Sequence, residues 1–114
     1  MFDFHNLVVY EKIRKLNHDL KDVLRRIRDR HFKDQLARAS LSIQLNVAEG
    51  SGRLGKKDKR RFYIISRASL YECVSLMDSV YDSKIISETE YKEFYLKYEE
   101  ISKMLFMLIK RLEE

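Results

Sequence analysis

Seven basic side chains crowd into fifteen residues of this 114-residue chain: Arg53, Lys56, Lys57, Lys59, Arg60, Arg61 and Arg67, with Asp58 the one acid among them. Lysine and arginine at this density offer point charges and forked donors that suit phosphate oxygens. Lys56, Lys57 and Lys59 follow Gly55 at what reads as the first turn of a helix. The macrodipole opposes cations there by up to ~1 kcal/mol each, while free backbone N–H groups favour an anion. A phosphate at that place relieves the conflict. A second cluster, Arg25, Arg26, Arg28 and Arg30, lies earlier in the chain. Two readings stand side by side: contact with a nucleic acid, or solvated helix faces that only keep the chain dissolved. An acidic protein or a lipid surface also fits the sign of the charge.

The other reactive residue types are sparse. His5, His18 and His31 are far apart, and no His, Cys, Asp and Glu share metal-ligand spacing, so no metal is expected. Cys73 stands alone, which excludes an internal disulfide, fits a reducing setting and leaves no histidine nearby to activate the thiol. Gly50, Gly52 and Gly55 spell a dinucleotide fingerprint, but no strand precedes them. Asn46, Glu49 and Arg53 recur at steps that share one helix face, with Ser42 a turn earlier. Glu49 and Glu72 offer a carboxylate pair for acid–base work, yet arginines within reach of each favour structural ion pairs. No catalytic residue and no cofactor are expected.

Helices must position these side chains. The chain has no proline, and its three glycines fall between Gly50 and Gly55. From about Asn6 to Arg30, Val9, Ile13, Leu16, Leu20, Val23 or Leu24, and Ile27 form one apolar stripe. Residues 28–33 read as a connection, with Asp34 the cap of a second helix that runs from about Gln35 to Glu49. That helix has no charge from Ala39 to Ala48 and carries two stripes: Leu36, Ile43 and Val47, then Leu41, Leu45 and Ala48. Two apolar faces imply burial on two sides, centrally or against another subunit. A third helix spans about Lys56 to Ser83, with Phe62, Ile65, Ser69, Leu76 and Val80 on one line, Leu70, Val74, Met77 and Tyr81 on a neighbouring one, and Phe62 assigned to the core. A hairpin centred near Gly55 pairs Arg38 with Glu72, Ser42 with Ala68, and Glu49 with Arg61. Ser87 and Glu90 form a capping box for the fourth helix, whose seam runs Tyr91, Phe94, Tyr98, Ile101, Leu105, Leu108 and Leu112.

The architecture these elements predict is all-α: an antiparallel up-down-up-down four-helix bundle, with residues 1–114 forming a single domain. The two basic clusters then lie at opposite ends and meet only across an oligomer. Residues 1–71 hold 17 basic and 8 acidic side chains and residues 72–114 hold 6 and 10, so the net charge of +5 is unevenly spread. No apolar run approaches the ~20 residues of a membrane span, and Met1-Phe2-Asp3-Phe4 is unlike a signal peptide. A cytoplasmic setting is expected.

The stretch Ser42-Ile43-Gln44-Leu45-Asn46-Val47-Ala48-Glu49-Gly50, followed by Lys57-Asp58, Phe62, Ser69-Leu70 and Glu72, resembles the 23S rRNA intervening-sequence proteins. Asn6-Leu7-Val8-Val9-Tyr10 is similar to that family's opening motif, with Asn6 in place of its Asp. Three departures stand out: Ala68 replaces a glycine before Ser69, Gly55 replaces a capping Ser or Thr, and His31-Phe32-Lys33 replaces a Phe-Pro pair. The resemblance implies an antiparallel four-helix bundle assembled as a homopentamer, without enzymatic activity. It extends to the Avd accessory proteins of diversity-generating retroelements, which bind nucleic acid and partner a reverse transcriptase. Its motif residues are Ser42, Asn46, Glu49, Gly50, Ser69 and Glu72. The expected function is a helical bundle holding structured RNA or an RNA/DNA intermediate. Arg53, Lys56, Lys57, Lys59, Arg60 and Arg61 are the contacts, with Arg25, Arg26 and Arg28 as second choice. The alternative is an oligomeric scaffold for a protein partner that itself holds the RNA.

Overall fold

The computed structural model describes residues 2–113. After a 3-10 turn at Asp3–Asn6 come α1 (Val8–Arg26), α2 (Arg30–Ser51), α3 (Lys56–Asp82) and α4 (Glu88–Arg111), with no strand among the described residues. The four helices form a bundle of 44 × 23 × 22 Å. Each helix packs on the two that flank it around the ring, and the diagonal pairs make no close backbone approach. Neighbours run antiparallel: along α3 and α4, Arg60 meets Glu113, Arg67 meets Ser102, and Asp78 meets Tyr91.

Helices with one apolar stripe form where the spacing predicts. In α1, Val9, Ile13, Leu16, Leu20 and Val23 are buried, as is Ile27 just beyond its end. In α4, Phe94, Tyr98, Ile101 and Leu105 are buried. The capping box is present: Ser87 Oγ accepts from the Glu90 N–H at 3.1 Å, and Glu90 Oε1 accepts from the Ser87 N–H at 2.9 Å.

The link between α1 and α2 is shorter than expected. Asp29, not Asp34, is the N-cap, accepting from the Phe32 N–H at 3.0 Å. Residues 30–33 are thus the first turn of α2, and Phe32 packs against the core from it. A charged turn hides a helix start from a reading based on apolar spacing, because only Phe32 faces inward.

The core face of α3 agrees with expectation at Leu70, Met77 and Val80 and differs at its start. Tyr63, Ser66, Leu70, Cys73, Met77 and Val80 are buried, whereas Phe62 is half-buried and Ile65 is 38% exposed. Phe62-Tyr63-Ile64-Ile65 is apolar throughout, so periodicity alone cannot fix the phase. Gly50 decides it. A Cβ at that position would sit 2.9 Å from Tyr63 Cε1 and 3.1 Å from Phe62 Cβ, so the missing side chain lets α3 approach α2 closely. The Tyr63 hydroxyl lies 3.2 Å from Ser51 Oγ.

Small polar residues continue this close approach. Ser66 Oγ donates to the Ile43 carbonyl at 2.7 Å, and Ser42 Oγ lies 2.7 Å from Ser69 Oγ. Ser42 therefore faces Ser69 rather than Ala68. The expected ion pairs across the hairpin are also replaced. Glu49 pairs with Arg53 at 2.6 Å and Arg61 with Asp58 at 3.1 Å, because partners three or four residues away on the chain are nearer than those across it. Arg38 and Glu72 are exposed and make no ion pair among the described residues.

Candidate nucleic-acid interface

The end of α2 and the start of α3 hold the basic run, and the structure gives its members different duties. Lys59 reaches back to the last carbonyls of α2, donating to Ser51 O at 2.8 Å and lying 3.5 Å from Gly50 O. Its charge opposes the dipole of α3 but complements the negative end of α2. Arg53 and Arg61 flank the Phe62 ring, with their guanidinium carbons 4.6 and 4.4 Å from its centroid. That spacing is cation–π contact. Arg53 also pairs with Glu49 and lies 3.6 Å from Asp58. The side chains of Arg53 and Arg61 are oriented by their partners yet stay 41% and 59% exposed.

Arg60 points toward the end of α4, where its Nη2 lies 3.9 Å from Glu113. Lys110 approaches the same carboxylate at 3.8 Å. Among the described residues the Arg60 Nε–H is buried without a hydrogen-bond partner. Lys56 and Lys57 are exposed at the head of α3, and Arg111 is exposed at the foot of α4. Lys57 and Arg111 make no ion pair among the described residues. Antiparallel packing thus adds Lys110 and Arg111 to the predicted group. The signal that locates them is the short turn between α3 and α4: counting outward from it brings the last turn of α4 beside the first of α3.

Half of the second cluster is bound up in the fold, while Arg30, like Arg28, is exposed without an ion pair among the described residues. Arg26 Nη1 donates to the Ile85 carbonyl and to Glu90 Oε1, both at 3.1 Å. Its Nη2 lies 2.6 Å from Asp22 Oδ2 and 2.6 Å from Glu90 Oε2. The guanidinium holds the Glu90 carboxyl down at about 2, with help from the Ser87 N–H, and lowers Asp22 as well. Arg25 lies 3.5 Å from Asp22. Arg28 alone of these three is exposed without an ion pair among the described residues. As expected, this cluster occupies the opposite end of the bundle from Arg60 and Lys57.

The motif residues between α2 and α3 are structural in their contacts. Asn46 Nδ2 donates to the Ser42 carbonyl at 2.9 Å and to Ser42 Oγ at 3.0 Å, continuing through Ser69 to the other helix. Leu41 and Leu45 stand beside this chain of bonds, 50% and 53% exposed, so the second stripe of α2 is open in the single chain. Cys73 is fully buried 3.6 Å from Ser40 Oγ, and burial pushes its thiol up to about 11, which makes it a packing residue rather than a nucleophile. Among the described residues no group of three His, Cys, Asp or Glu could hold a metal, and no helix is long and apolar enough to cross a membrane.

A ring of four antiparallel helices with a basic end and a serine- and asparagine-bonded central pair defines the class: a small all-α bundle. Within that class, a sequence model of the 23S rRNA-intervening sequence proteins matches residues 5–107, and the chain belongs to that family. The fold is also that of a solved structure from Bacteroides thetaiotaomicron VPI-5482, a protein with unknown function from the S23 ribosomal protein family. The two are 19% identical, the TM-score is 0.83, and the match covers 90% of this chain and 99% of the other. No curated protein matches the sequence.

Proposed function

We propose that the chain is a non-enzymatic, cytoplasmic nucleic-acid-binding bundle that acts as a homo-oligomer, a pentamer if it assembles as the family resemblance implies. The observation that supports this is the convergence of two helix ends. Lys57, Arg60 and Arg61 from α3 and Lys110 and Arg111 from α4 share one end of the bundle, where Glu113 is shared by Arg60 and Lys110. A structured RNA offers regularly spaced phosphates to such a surface, and each neutralised phosphate releases counterions. The open stripe at Leu41 and Leu45 suits a second copy. A closed ring repeats the basic end several times and multiplies weak contacts into useful affinity.

Two measurements test this reading. Log affinity for RNA is expected to fall steeply with log salt, and a Lys56/Lys57/Arg60/Arg61→Ala variant to flatten that slope without changing the sedimentation coefficient. Leu41→Asp with Leu45→Asp is expected to yield a folded monomer. Salt-independent or absent RNA binding, with a protein partner captured after nuclease treatment, would favour the scaffold reading, in which a reverse transcriptase of the retroelement type holds the RNA. A wild-type monomer indifferent to polynucleotide would overturn both.

A further inference from the structure

The groove between α3 and α4 carries aromatic surface that neither the core nor the motif residues use. Tyr71, Tyr95 and Phe106 are 58%, 44% and 47% exposed along it. Between two of them, Arg67 is held in place: its Nε donates to the Ser102 carbonyl at 3.2 Å and its Nη2 to the Tyr71 hydroxyl at 3.2 Å. The guanidinium carbon lies 5.1 Å from the Tyr71 ring centroid and 5.4 Å from that of Phe106. The result is an aromatic–cation–aromatic row fixed on the surface. Below it, a cavity of about 440 Å³ is lined by Arg67, Tyr71, Tyr95, Ser102 and Lys103, among others.

We propose that this groove is a base-stacking track for single-stranded RNA, continuous with the basic end and occupied by about three or four nucleotides. The inference rests on reading the basic end as a nucleic-acid contact, and it specifies which form of nucleic acid is held. Three features support the occupant. Exposed rings and an immobilised guanidinium present flat faces, which unpaired bases can meet and paired bases cannot. Arg67 and Lys103 carry positive charge in the groove's lining, and Arg60 and Lys110 lie about two helical turns further along α3 and α4 toward the basic end. Lys57 and Tyr71 are separated by ~20 Å of helix, matching a short run of nucleotides.

Acidic residues set where the track stops. Asp78 lines the same cavity beyond Tyr71, Glu99 lines it from α4 one turn from Lys103, and Asp78 accepts the Tyr91 hydroxyl hydrogen bond. Their charge repels phosphate at that point. The backbone of the strand therefore lies toward the basic end, while its bases fill the aromatic row.

The test uses the full chain with two labelled probes, a uridine oligomer of about twelve nucleotides and an RNA duplex of similar length. Anisotropy is expected to show the single strand bound more tightly than the duplex at equal salt. Tyr71→Leu and Phe106→Leu are each expected to weaken single-strand binding about fivefold or more while leaving the salt slope unchanged. Both positions are half exposed, and circular dichroism of each variant checks that the fold is intact. The chain contains no tryptophan, so quenching of tyrosine emission by the oligomer, reduced in Tyr71→Leu, reports stacking directly. Equal binding of strand and duplex, or full affinity in both leucine variants, overturns the track and leaves the basic-end reading standing. Absence of binding to either probe overturns the two together.

Discussion

Arginine clusters occur at both ends of the bundle, yet the two ends are wired differently. At the end where α1 meets α4, Arg26 is enclosed by Asp22, Glu90 and the Ile85 carbonyl, and Arg25 shares Asp22. At the other end, Glu49, Asp58 and Glu113 serve Arg53, Arg60, Arg61 and Lys110, and Lys57 and Arg111 remain without an ion pair among the described residues. The density of cations in the sequence is similar in the two places. Each end leaves two cations without an ion pair among the described residues, Lys57 and Arg111 at one and Arg28 and Arg30 at the other. What separates them is that Arg26 is tied to Glu90, sixty-four residues away in the chain, whereas the other end is paired mostly to acids within five residues. A basic run is a candidate surface only after its acids have been located.

The largest effect expected from this contrast is on binding. Replacing Lys57, Arg60, Lys110 and Arg111 together by Gln should weaken RNA binding by about thirtyfold or more at low salt. It should also reduce the salt slope by roughly three, at ~0.7 per phosphate contact on a single strand. The matching change at the opposite end, Arg25 and Arg28→Gln, should leave affinity within about twofold. Titrations at several salt concentrations compare the two, and equal losses would erase the distinction between the ends.

The next effect concerns how the basic end is built. Gly50→Ala gains helix propensity but drives a Cβ to 2.9 Å from the Tyr63 ring. Tyr63 is buried and cannot turn away. Overpacking should exceed the propensity gain, for a net loss of about 1–2 kcal/mol in denaturant unfolding. A neutral result would mean that α2 and α3 can separate at this point at little cost.

How far these regions can be read from sequence follows from the same physics. The stripe of α1 is legible because nearly all its apolar residues share one face. That of α4 is legible because its steps of three and four persist although Tyr95, Leu96, Phe106 and Met107 are exposed, and the Ser87 capping box is legible because it is local. The phase of α3 is not, since Phe62 to Ile65 are all apolar and the choice of Tyr63 depends on Gly50 in another helix. The start of α2 is masked by charge at Arg30 and Lys33. In the candidate site, the run from Arg53 to Arg61 is plain in the sequence, whereas Lys110 and Arg111 join it only through antiparallel packing. The diversion of Lys59 to the α2 carbonyls is likewise a tertiary fact.

Arg26→Gln sharpens the comparison on the stability side. It removes the contacts to Asp22, Glu90 and the Ile85 carbonyl at once. The groups are about one-third exposed or more, so solvent screens them, and a loss of about 1 kcal/mol is expected. RNA affinity should be unaffected. A loss of affinity from this variant would put Arg26 back among the contacts.

The smallest expected effect is a pH dependence confined to that same end. The Glu90 carboxyl is lowered from about 4.5 to about 2 in the folded chain, first by Arg26 and then by the Ser87 N–H. The unfolded chain therefore takes up its proton at higher pH than the folded one. The pair's contribution is fully present above about pH 5 and is lost as pH falls toward 2. Because the side chain is 34% exposed, the contribution is about 1 kcal/mol rather than the larger figure the shift alone suggests. Glu90→Gln cannot lose a proton, so the stability difference between wild type and variant should shrink across that window and stay flat from pH 6 to 8. Urea unfolding at a series of pH values measures it. No difference at any pH would show that Glu90 acts through its capping hydrogen bond, which a Gln amide oxygen also accepts, and that the charge balance of this end is incidental to its stability.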